Sequence, residues 1–132
     1  MPTMQRDVVL RWIEEISRVI RRLLYGRGDV DLAQAASLVD DATARLLGPL
    51  ATLVPRLEPG GAADLLHDPD RIYAYAQLLA LQSAVEQARN AAEHTTTRDR
   101  ALAFAAEAVS RHPEPPTEWE QWLSDAKEGT SA

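Results

Sequence analysis

Apolar residues recur every three or four positions along almost the whole chain, and no useful stretch alternates with period two. That periodicity reads as helices without strands. The clearest case is DVVLRWIEEISRVIRRLLYG, residues 7–26. Val9, Trp12, Ile13, Ile16, Val19, Ile20 and Leu23 fall within one broad stripe, with Arg11, Arg18 and Arg22 opposite it. The pattern predicts a helix over about 4–25, with Thr3 as N-cap and Gly26 and Gly28 as the stop. A second helix follows the cap candidates Asp29 and Asp31, runs through LAQAASLVDDATARLL and ends at Gly48-Pro49. Ala35, Leu38, Val39, Ala42 and Leu46 make its inner face.

The middle of the chain is punctuated. Pro49, Pro55 and Pro59 divide residues 48–68 into short helical turns, over about 49–54 and 62–67, because proline neither donates to nor fits inside a continuing helix. Asp68-Pro69 then pairs a capping side chain with proline at the first helical position, a strong start signal. The helix it opens is expected over 69–93. Ile72, Tyr73, Tyr75, Leu78, Leu79, Leu81 and Val85 go most of the way round it, which marks the central element of a bundle. Thr96 with Asp99 fits a capping box opening a fifth helix over 97–111. Its Ala101, Leu102, Ala105, Ala106 and Ala108 permit close approach, and Phe104 and Val109 fill gaps. HPEPP makes a stiff spacer, and Thr117 with Glu120 caps a last helix over 118–127 that carries Trp119, Trp122 and Leu123. The final EGTSA is expected to fray. The expectation is an all-α fold of five to six helices in antiparallel pairs with a proline-broken middle. Residues 1–112 form the bundle, and 113–132 form a spacer and Trp-bearing helix docked on the same domain.

Two resemblances attach to these residues. The opening, with Asp7, Arg11, Ile13 and Glu14 ahead of Tyr25-Gly26, resembles a family of small bacterial helical proteins described only as a domain of unknown function. LLHDPDR and the alanine-rich fifth helix continue the likeness across most of the chain. It implies an all-helical fold and brings no catalytic residues. Ala101, Ala108, Pro113 and Trp119 match the spacing of the small, small, proline and aromatic positions of tetratricopeptide hairpins. That likeness implies packed antiparallel helix pairs, although no 34-residue period runs through the chain.

Charge changes the picture of the first helix. The chain carries a net charge of −6, which argues against general nucleic-acid binding. The balance is uneven: residues 1–27 hold six Arg against three acids, whereas the remainder is strongly acidic. The basic helix is therefore expected to lie near acidic neighbours of its own chain. Asp7 and Glu14 precede Arg11 and Arg18 by four residues, an orientation that favours pairing and cancels much of a would-be membrane face. No apolar run approaches a membrane span and no signal-peptide pattern opens the chain. The expected location is the cytoplasm, with neither nucleic acid nor membrane as partner.

Candidate chemistry is sparse. There is no cysteine, which removes disulfides, thiolate metal sites and thiol nucleophiles. His67, His94 and His112 are far apart, with no ligand partner at i+3 or i+4. His67 among Asp64, Asp68 and Asp70 reads as helix capping, and His94 and His112 read as C-terminal residues matched to the helix dipole. No phosphate loop or nucleophile–base set is present. These absences predict a protein that is not an enzyme and needs no metal or cofactor. The expected function is a non-catalytic helical interaction module, binding another protein or a second copy of itself, with Trp119, Trp122 and Leu123 as partner-binding candidates. Two alternatives remain open: a small-ligand-binding bundle with Arg71, Tyr73 and Tyr75 lining a pocket, and a purely structural homodimer.

Overall fold

The computed structural model describes residues 6–24 and 29–131. The order is α1 (Arg6–Leu24), α2 (Asp29–Leu47), two 3-10 turns (Gly48–Leu50 and Val54–Arg56), α3 (Pro59–Leu66), α4 (Pro69–Ala88), α5 (His94–Arg111) and α6 (Thr117–Ser131). Among the described residues the structure is all-α. The expected Thr3 cap and the Gly26–Gly28 stop lie outside them.

Helix α4 is the axis of the bundle. Its Asp68 cap accepts the Asp70 N–H at 2.9 Å, and Pro69 opens the first turn. Eleven of its residues are buried, apolar ones on every side, because α1, α2, α3 and α5 all pack against it. Ser83 meets His94 and Tyr75 meets Phe104, so α5 runs antiparallel to α4. Arg71 near the start of α4 reaches Leu46 and Leu47 at the end of α2, and Ala88 and Arg89 lie beside Leu32 and Ala33. Helix α2 is therefore antiparallel to α4, and α1 runs parallel to α4, since Leu10 and Ile13 line a cleft with Tyr73 whereas Arg21 lies beside Ala80.

Several boundaries differ from the sequence expectation. Helix α4 ends at Ala88 and not near residue 93, because Asn90 takes a left-handed conformation with φ 60°. The Ala91 N–H donates to the Glu86 carbonyl at 2.8 Å and the Asn90 N–H to Gln87 at 3.0 Å, which together form a Schellman cap. The chain has then already turned, and α5 starts at His94. The Thr96–Asp99 pair consequently lies inside α5, and His94 sits at a helix start and not at a helix end. In the middle segment, each proline stands in the opening turn of a short element, where its missing N–H costs no hydrogen bond. Ala106 faces solvent, while Ala101, Phe104, Ala105 and Ala108 form the buried face of α5. Helix α6 continues through Ser131, past the expected end at 127.

Helix α6 packs on α5. Its Ala126 carbonyl accepts from the Arg98 guanidinium at 3.1 Å, and Trp119 lies edge-on to His112 with centroids 5.3 Å apart. Helix α6 is thus antiparallel to α5 and parallel to α1 and α4. Among the described residues α1 and α6 form no packed pair, and α6 reaches α4 through Trp119 and Trp122 on Tyr73.

Candidate functional site

A cleft of about 660 Å³ opens between α1 and α6, with α4 beneath it. Leu10, Ile13 and Ser17 of α1 form one wall, Trp119 of α6 the other, and Tyr73 with Gln77 the floor. Four charged side chains complete the lining: Glu14, Arg18 and Arg21 from α1 and Glu118 from α6. A second, smaller cleft meets the first at Arg21 and is lined by Ala80 of α4, Arg98, Ala101 and Leu102 of α5, and Trp122, Asp125 and Ala126 of α6. Arg21 and the floor positions Tyr73, Gln77 and Ala80 link the two into one groove along α4.

The groove exists because α6 docks by its aromatic face. Trp119 stacks on Tyr73 with centroids 4.3 Å apart and planes 8° from parallel. Trp122 meets the same ring edge-on at 6.4 Å. Trp119 is 3% exposed and Tyr73 9%, so the aromatic pair seals the core and offers only its margins to the groove. Trp122 and Leu123 are half-buried against the same core. Burial pushes the Tyr73 hydroxyl up to about 12, with the Glu118 carboxylate adding to the effect. The neutral phenol is favoured in the fold, so its contribution is complete below pH 10.0 and is lost as pH rises towards 12. The melting temperature should fall steeply through that window, and Tyr73→Phe should flatten the fall. An unchanged alkaline profile in the variant would contradict this assignment.

The remaining sequence candidates are dispersed. The Arg71 guanidinium donates to the Leu46 carbonyl at 2.8 and 3.1 Å and to the Leu47 carbonyl at 3.0 Å. It caps the end of α2, as a cation should at a helix C-terminus. Tyr75 points to the other side of α4, edge-on to Phe104 at 4.8 Å, and burial raises its hydroxyl while Arg100 opposes the rise. Of Arg71, Tyr73 and Tyr75, only Tyr73 therefore reaches the cleft. The histidine–aspartate cluster also divides. Asp64 pairs with Arg111 at 2.7 Å, Asp68 caps α4, and His67 closes α3 with φ 67°. Among the described residues no group of three His, Asp or Glu side chains is arranged to hold a metal ion.

Sequence reasoning missed Glu14, Ser17, Arg18, Arg21 and Gln77 as members of a shared site. The polar side of α1 reads as solvated, and Glu14 is expected to pair with Arg18. Among the described residues, however, none of Glu14, Arg18, Arg21 and Glu118 has an ion-pair partner within 4.0 Å. The Gln77 amide nitrogen is buried with no hydrogen-bond partner, an arrangement that costs about 1–3 kcal/mol. The available signal was the excess of arginine in residues 1–27 of an otherwise acidic chain. No protein-family model, curated protein or solved structure matches this chain.

Proposed function

We propose that the protein is a non-catalytic helical interaction module, a cytoplasmic bacterial adaptor, scaffold or regulatory subunit, whose docking site is the groove between α1 and α6. One observation carries the reading: among the described residues two parallel helices, α1 and α6, form no packed pair, leaving a trough over α4 that is lined at helical spacing and extends towards α5. That is the shape that receives the apolar stripe of an amphipathic helix. The cleft volume holds the stripe's side chains and leaves the partner's backbone at the rim. The aromatic face of α6 supports one wall of the site.

A display library of amphipathic helices, selected against the intact protein, tests the reading. Selected peptides should change tryptophan emission, because Trp119 and Trp122 line the groove. Ser17→Trp, which fills the groove from α1, should abolish their binding. Peptides that bind the Ser17→Trp variant equally well would overturn the proposal.

The cleft volume also falls in the range of small-molecule sites, which favours a ligand-binding bundle as the second reading. A melting-temperature screen separates the two, since a metabolite that binds the native state raises the transition by mass action.

A further inference from the structure

The charges along the groove are sorted by position. Glu118 adjoins the Tyr73–Trp119 stack, and Glu14 lines the same cleft from α1. Arg21 lies where the groove passes Ala80, with Arg18 one turn before it. Glu14 to Arg21 is seven helical residues, about 10 Å, and Tyr73 to Ala80 spans the same rise on the parallel α4. The groove therefore has an acidic end built by two helices and a basic stretch one to two turns along. Among the described residues none of the four has an ion-pair partner within 4.0 Å, and Asp125 is the acid that lines the second cleft with Arg21. Between the acidic end and the basic stretch, at Gln77, lies an amide donor without an acceptor. Glu14 and Glu118 repel each other across the cleft, and Arg18 and Arg21 repel each other three residues apart on α1, so an incoming group of opposite sign relieves each repulsion.

Resting on the groove as docking site, we propose that its partner is an amphipathic helix of another protein with a split charge pattern. A basic side chain meets Glu14 and Glu118, an acidic one meets Arg18 and Arg21, and the two are separated by about one to two turns. The pattern also fixes direction. A partner with its basic residue first runs parallel to α1, and one with its acidic residue first runs antiparallel.

Four synthetic helices with the same leucine stripe test this: lysine then glutamate, glutamate then lysine, lysine at both positions, and a neutral pair. The two split-charge peptides should bind roughly three- to tenfold more tightly than the neutral one, in line with two partly screened ion pairs. The advantage should shrink as salt rises. A spin label on the peptide N-terminus should broaden NMR signals near Leu10 for the lysine-first peptide and near Asp125 for the glutamate-first peptide. The double variant Arg18→Glu/Arg21→Glu changes two exposed side chains. It should reverse the ranking in favour of the lysine-only peptide.

Equal binding of all four peptides, still blocked by Ser17→Trp, would keep the groove as a helix site and overturn the charge pattern. Failure of every peptide would remove both. A shift to a dimer mass on concentration, lost in Ser17→Trp, would assign the groove to a second copy and overturn the proposal. A melting-temperature rise with a free dipeptide but with none of the four helices would assign it to a small zwitterion and do the same.

Discussion

Phe104→Ala should cost about 3–5 kcal/mol of folding stability, towards the upper part of that range. Phe104 is fully buried, with the Tyr75 ring edge-on at 4.8 Å and the Arg100 guanidinium 5.0 Å from its centroid. Its buried neighbours on α5 are Ala101, Ala105 and Ala108. Alanine has no rotamer with which to fill a void, so the cavity persists and its lining loses contacts outright. Arg100 is held away as well, since its guanidinium donates to the Val54 carbonyl at 2.9 Å. Against a total stability of about 5–15 kcal/mol for a domain, the loss is large enough to see in a single urea titration. The midpoint should fall with the slope unchanged. A cost below about 1 kcal/mol would mean that α4 and α5 do not pack face to face as described.

Much of this architecture is legible in the sequence, for local physical reasons. Apolar residues around the whole circumference of α4 can be covered only by neighbours on several sides, which fixes it as the axis. Asp68-Pro69 is a self-contained start signal, and its hydrogen bond forms as the residue types require. The turn between α4 and α5 is harder, because two local signals compete. The Thr96–Asp99 box invites a start at 97, whereas Asn90 in a left-handed cap ends α4 early and turns the chain sooner. The site is harder still. The stripe on α1 tells which face is buried and leaves open how far the neighbours extend around its edges. Val19, counted in the stripe, is 42% exposed, while Arg18, counted as opposite, lines the cleft. Both outcomes follow from where α6 lands, about a hundred residues along the chain. Arg71 shows the same limit. Beside two tyrosines it reads as a ligand group, yet the carbonyls it satisfies belong to a helix end some 25 residues earlier.

Trp119→Ala should detach α6 while leaving the rest of the bundle folded. Removing a buried tryptophan costs about 3–5 kcal/mol, and here the loss falls on a helix held by α5 and by the Tyr73 stack on α4. Among the contacts left are the half-buried Trp122 and Leu123 and the Arg98 bond to the Ala126 carbonyl. Isolated helices of this length are marginal in water, so the undocked segment should lose its structure. Amide exchange in α6 should therefore accelerate by orders of magnitude, while protection at Tyr75, Phe104 and their neighbours persists. The groove would lose one wall, so every helical peptide should lose its binding. Trp122→Ala removes a less buried ring from the same stack and should show a weaker version of both effects. If α6 instead served as an arm inserted into a partner, with Trp119 as its anchor, Trp119→Ala would leave exchange and melting of the free protein unchanged. The two arrangements thus predict opposite results from one variant measured without any partner present.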